Sequence, residues 1–152
     1  MTTSQTVTRT INAPAADIFD LLSNPERHPE FDGSGFLRSA VASQRISAVG
    51  DTFSMNMDGA HMGGEYQMDN HVSGFQANTL IAWKPAPAGT EPPGWEWMYE
   101  LKSAGSDSTD VSLTYDWSKV TDKAILKKVS FPLVSESQME DSLASLASAI
   151  NG

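Results

Sequence analysis

The chain has 152 residues, 39% hydrophobic and 19% charged, which suffices to bury a core and is too apolar for wholesale disorder. Nineteen acidic residues against ten basic ones leave a net charge of −9, which repels phosphate backbones and anionic lipid and argues against nucleic acid as a partner. The absence of cysteine excludes disulfides, thiol nucleophiles and thiolate metal sites.

The first ten residues are polar and lack the apolar centre of a secretory signal, and no apolar run approaches the roughly 20 residues that cross a bilayer. A cytoplasmic protein without membrane insertion is therefore expected. With no internal repeat, low-complexity tract or long linker, residues 1–152 are expected to form one domain.

In chain order, Gln5 to Ile11 alternates Val7, Arg9 and Ile11 with threonines and predicts a strand. Pro14 and Asp17 open a short helix whose apolar side is Ile18, Phe19, Leu21 and Leu22. Asn24-Pro25 ends it, and Pro25 to Phe31 predicts a second helical turn, closed by Asp32-Gly33. Strands follow over Arg38 to Ile46, over Thr52 to Met57 with Phe53, Met55 and Met57 on one face, and over Glu65 to Val72 with Tyr66, Met68 and Val72 on one face. Gly74 marks a break or bulge before a strand from Asn78 to Lys84, and Pro85 to Gly94 is expected to be a loop. Trp95, Trp97, Tyr99 and Leu101, then Val111, Leu113, Tyr115 and Trp117, alternate with polar residues as two half-buried antiparallel strands. Ile125, Leu126 and Val129 share one side of a helix that Pro132 interrupts. Ser135 with Gln138 has capping-box spacing, and Met139, Leu143, Leu146, Ala147 and Ile150 recur at helical period.

The order is strand, two short helices, about six strands and a long terminal helix, hence an α+β fold. A sheet with one apolar face needs a cover, and the terminal helix is the only element long enough to supply it. Glycines 50, 63, 64 and 74, near strand ends, are consistent with bulges and strong curvature. The expected inner face carries Met55, Met57, Met68, Trp97, Tyr99, Tyr115 and Trp117. Periodicity leaves two outcomes open for these side chains: a filled core, or a cavity lined by methionines and aromatics.

The stretch from Thr10-Ile11-Asn12-Ala13-Pro14 to Ile18-Phe19, followed by Leu22-Ser23-Asn24-Pro25-Glu26-Arg27-His28-Pro29-Glu30-Phe31-Asp32-Gly33, resembles the opening of SRPBCC proteins. These form the START and Bet v 1-like superfamily, and the polyketide cyclase/dehydrase branch is the nearest likeness. The tail from Trp97 to Ile150 is similar too, through Tyr115-Asp116-Trp117 and Pro132 before the last helix. The resemblance implies a helix-grip fold, in which a curved seven-strand antiparallel sheet wraps a long C-terminal helix around a deep cavity. It also implies a hydrophobic ligand such as a lipid, a polyketide or a similar aromatic or isoprenoid molecule. It carries no invariant catalytic set.

Asp58, His61, Glu65, Asp69 and His71 have metal-ligand chemistry, but Gly63-Gly64 interrupts them and Glu65, Asp69 and His71 fall on the solvated strand face, so no metal is expected. No cofactor motif is present either. His28 with Asp32 has the composition of an acid/base pair, and a surface or helix-end contact is the expected role. The residues expected to line a cavity are Met55, Met57, Tyr66, Met68, Trp83, Trp97, Tyr99, Tyr115, Trp117 and Met139. Tyr66, Tyr99 and Asn70 are the candidates for polarising a carbonyl, since a buried phenol or amide donates to an enolate-like oxygen. Three functions stay open: a carrier or binder of a small hydrophobic ligand, a cyclase/dehydrase-type enzyme, and a partner-binding module with a vestigial cavity. Either a monomer or a homodimer is compatible.

Overall fold

The computed structural model describes residues 3–41, 44–128 and 131–151. Seven antiparallel strands form one sheet: β1 (Ser4–Ile11), β2 (Leu37–Val41), β3 (Thr52–Gly59), β4 (Gly64–Gln76), β5 (Leu80–Pro87), β6 (Glu96–Gly105) and β7 (Ser108–Asp116). Their spatial order is β1-β7-β6-β5-β4-β3-β2, so every neighbour after β1 is a hairpin partner. Helix α1 (Ala15–Leu22) and a 3-10 helix (Pro25–Glu30) follow β1, while α2 (Lys123–Lys128) and α3 (Glu136–Asn151) follow β7. This is the helix-grip α+β architecture.

Local chemistry sets the element boundaries. The Asn24 side chain accepts from the Glu26 N–H and starts the 3-10 helix with Pro25 in its first turn. Ser135 and Gln138 satisfy one another at the start of α3: the Ser135 N–H donates to the Gln138 side-chain Oε1 at 2.9 Å, and the Gln138 backbone N–H donates to Ser135 Oγ at 3.1 Å. Met139, Leu143 and Leu146 then turn one helix face wholly inward. The expectation for Val129 lies outside the described residues.

Several boundaries differ from the sequence-based expectation. The strand expected from Asn78 starts at Leu80, because Asn78 takes a left-handed turn conformation with φ of 63°. Strand β2 ends by Val41, and Ile46 is buried in irregular backbone, its N–H held by the Ser23 carbonyl at 2.8 Å. Residues 85–87 belong to β5 and not to a loop, with Pro85 opposite Asn70 and Pro87 opposite Met68. Proline is tolerated there because β5 pairs with β6 only from Leu80 to Trp83. Beyond Trp83 the strand has a partner on its β4 side alone, so no ladder bond to β6 requires the missing N–H groups. Strand β4 shifts register between Val72 and Gly74, which bends the sheet where the sequence placed a break.

Helix α3 lies mainly against β1, with further contact to β7, α1 and the 3-10 helix. It thus covers one end of the concave face and leaves the inner surface of β3 to β7 to the cavity. No helix among the described residues is long and apolar enough to cross a membrane.

Candidate ligand cavity

Period-two alternation sends Met55 and Met57 of β3, and Tyr66, Met68 and Asn70 of β4, to the concave side. Trp83 of β5, Trp97 and Tyr99 of β6, and Tyr115 of β7 share that side. All of them line a cavity of about 170 Å³. The other wall comes from outside the sheet: His28 of the 3-10 helix, Phe31, Asp32 and Ser34 after it, Trp95 before β6, and Phe131, Leu133 and Val134 before α3. Ser142 of α3 completes it.

Trp117 and Met139, expected among the lining residues, lie elsewhere. Trp117 points inward but sits beyond the end of β7, where it stacks on Phe131 with ring centroids 6.1 Å apart. Met139 is fully buried against Gln5, whose Nε2 lies 3.1 Å from its sulfur.

The aromatic wall is ordered by ring contacts. Trp97 and Tyr115 stack at 4.2 Å and 5°, and Trp83 stacks on the His28 imidazole at 5.2 Å and 26°. His28 corrects the expectation of a surface pair with Asp32. It is 3% exposed, its Nε2–H donates to the Leu22 carbonyl at 2.7 Å, and Phe31 and Phe53 pack edge-on against it. Burial outweighs that hydrogen bond and lowers its pKa from 6.5 to about 4, so the ring is neutral at pH 7.

Asp32 is half-buried at the cavity wall. It accepts from Ser34 Oγ at 2.6 Å and from the backbone of Ser34 and Leu37, but burial dominates and raises its pKa above the ordinary aspartate value. Its charge is felt by two phenols across the cavity. Tyr66 is pushed up to about 12, first by burial and then by Asp32 and Asp58. Tyr99 is raised further by burial and by Asp32. Both therefore stay protonated at neutral pH.

The polar handles divide into occupied and free. The Tyr115 hydroxyl is engaged by the backbone of Leu133, and Tyr66 also has a partner. Asn70 is 6% exposed and Tyr99 4% exposed, and neither the Asn70 amide nor the Tyr99 hydroxyl has a hydrogen-bond partner among the described residues. Among the described residues the side-chain polar atom buried without a partner is His71 Nε2, so the Asn70 and Tyr99 groups open onto the cavity they line, where water or a guest can bond them. Of the three carbonyl-polarising candidates, two are thus free to bond a guest.

On the convex face, Asp69 accepts from Ser54 Oγ and from the Gly89 N–H, so its oxygens are already used. The side chain of His61 is outside the described set, and among the described residues no three His, Asp or Glu side chains come together as a metal site. Sequence reasoning missed the loop-borne half of the wall. Only the Phe31-Asp32 pairing of an aromatic with an acid beside a turn could have drawn attention to it.

A family model described as activator of Hsp90 ATPase homolog 1-like protein matches residues 12–151. An uncharacterized protein of Mycobacterium tuberculosis is 32% identical over 107 residues, which is 70% of this chain and 44% of that relative, so the match spans less than half of the relative's length. Among solved structures, the Zhui aromatase/cyclase of a Streptomyces species matches with a TM-score of 0.68 at 12% identity, covering 97% of this chain and 93% of that one. A START superfamily protein from Mycobacterium smegmatis matches with a TM-score of 0.64 at 15% identity, covering 97% of each chain. At these identities the two structures share the fold alone.

Proposed function

The chain belongs to the family of activator of Hsp90 ATPase homolog 1-like proteins, with a START-like helix-grip fold, and on that premise we propose that it binds a compact hydrophobic molecule in the cavity beneath β3 to β7. The observation that carries this reading is that the interior is open where methionines and aromatics converge. An engineered apolar cavity of about 150 Å³ accommodates benzene, so 170 Å³ with an adaptable methionine wall suits a ligand of one or two rings. Burial at about 0.8 kcal/mol per carbon gives a ten-carbon ligand roughly 8 kcal/mol, the micromolar range. The partner-module alternative required a filled interior and a large apolar patch. Against it, Val49, in the turn before β3, and Leu126, on α2, are the large apolar side chains strongly exposed among the described residues.

The test is titration with 1-aminonaphthalene, a two-ring probe whose emission shifts in apolar surroundings. Saturable one-to-one binding to the native protein is expected, weakened about tenfold or more in Trp97→Ala through loss of the stacked Trp97–Tyr115 wall. A cooperatively folded protein that binds no fluorophore would sink the reading.

A cyclase-type reaction in the same cavity is a second reading, favoured by the half-buried Asp32 carboxyl facing two protonated phenols. Asp32 would take a proton from a carbon beside a ligand carbonyl while Tyr99 donates to the developing enolate oxygen. Expected is deuterium exchange into the α-position of bound 2-acetylnaphthalene, lost in Asp32→Asn. Exchange no faster than in buffer, with the ketone demonstrably bound, leaves binding alone.

A further inference from the structure

We propose that the cavity selects an aromatic ligand bearing a carbonyl or hydroxyl group, hydrogen-bonded by Asn70 or Tyr99, and that it rejects organic carboxylates of the same shape. The inference rests on the binding function above and adds the chemical class of the guest.

The first argument is the charge inventory of the wall. Among the described lining residues there is no lysine and no arginine. The one imidazole, His28, has its Nε2–H committed to the Leu22 carbonyl and is boxed by Phe31, Phe53 and Trp83. The ionisable side chain that remains open to the guest is Asp32, an acid. A carboxylate entering this space would lose its hydration, find no counter-ion and face a like charge. The acidic protein as a whole, at −9, adds repulsion of the same sign.

The second argument is the pair of free handles. Asn70 projects from β4 and Tyr99 from β6, with Trp83 of β5 on the strand between them. Pro85, opposite Asn70 on β5, brings no N–H that the amide oxygen might take. An apolar guest would leave both handles unsatisfied in a dry site, whereas a guest with an acceptor oxygen restores a bond to the Asn70 Nδ2–H or the Tyr99 O–H. A site built with buried polar groups discriminates strongly against analogues that cannot pair with them. The cavity is therefore selective by polarity as well as by shape.

The experiment compares 2-acetylnaphthalene, 2-ethylnaphthalene and 2-naphthoate by calorimetry at pH 7.5, against wild-type protein, Asn70→Leu and Tyr99→Phe. The ketone is expected to bind at least about tenfold more tightly than naphthoate. The ratio of ketone to ethyl affinity is expected to fall about tenfold in Asn70→Leu and less in Tyr99→Phe, which keeps the ring. A melt of each variant checks folding, and Tyr99→Phe serves if Asn70→Leu does not fold. Naphthoate binding as tightly as the ketone overturns the inference. A ketone-to-ethyl ratio unchanged in both variants, with 2-ethylnaphthalene still bound, also overturns it and leaves the apolar cavity intact. Failure of both 2-acetylnaphthalene and 2-ethylnaphthalene to bind the folded wild-type protein overturns the binding function itself.

Discussion

Gly33→Ala is expected to lower stability by roughly 3 kcal/mol, the upper range for forced overpacking. Gly33 lies where the chain after the 3-10 helix docks on α3. A Cβ there would come 2.3 Å from the Gln138 carbonyl oxygen, and within 2.9 Å of both Ser142 Oγ and the Ser142 backbone nitrogen. Two of these contacts are helix backbone, so no rotamer change relieves them. The Gly33 N–H also donates to Ser142 Oγ at 2.8 Å, and Gln138 Nε2 donates to the Ser34 carbonyl at 3.2 Å. Together these bonds clasp the wall segment that carries Asp32 and Ser34 to the helix. Urea denaturation of Gly33→Ala beside Ser142→Ala separates the two effects. Ser142→Ala loses one hydrogen bond and is expected to cost about 1 kcal/mol. Equal costs for the two variants would mean that the close approach is not enforced.

The second large effect is an acid-side loss of stability from His28. In the unfolded chain its imidazole takes up a proton as pH falls through 6.5, while in the folded protein burial delays protonation to about 4. The unfolded state therefore binds more protons throughout that window, and stability rises with pH across it. The contribution is fully present above about pH 7 and is lost progressively down to about 4. A lowering from 6.5 to about 4 corresponds to about 3 kcal/mol, at about 1.4 kcal/mol for each tenfold change in proton affinity. In a chain of this length that is roughly 10 °C in Tm. Asp32 acts in the opposite sense, because a raised carboxyl holds its proton longer in the folded state and gains stability on acidification. Comparing wild type with His28→Gln, which keeps an N–H for the Leu22 carbonyl and does not titrate, subtracts that term. A flat difference between the two from pH 7 to 4 would contradict a buried neutral histidine.

The sequence displayed most of the sheet and half of the cavity for one reason. Where a strand is buried on one face, its side-chain period of two appears directly in residue order. Trp97, Tyr99 and Leu101 against Glu96, Met98 and Glu100 set the phase of β6, and the same logic placed Met55, Met68 and Tyr115. Trp117 and Met139 had the right phase but the wrong depth, because period says which face a residue occupies and not how far along the cavity it lies. Pro85 and Pro87 signalled a loop because the parting of β5 from β6 is a tertiary event with no local signature. His28, Phe31, Asp32 and Ser34 stood in a segment without periodicity, so nothing in their spacing indicated that tertiary contact with α3 and the sheet turns them inward. Whether the interior would be filled or open was undetermined, since both outcomes use the same residues.

The tryptophans offer the most direct test of the cavity. Trp83, Trp95 and Trp97 line it, and Trp117 does not. The four indole N–H signals in a proton–nitrogen correlation spectrum, assigned by single Trp→Phe variants, can be followed while 2-acetylnaphthalene is added. The account predicts that the signals of Trp83, Trp95 and Trp97 move together and saturate at one equivalent bound, while that of Trp117 moves least. Signals that stay fixed up to the solubility limit of the ligand, or a response led by Trp117, would contradict a ligand cavity at this place in the fold.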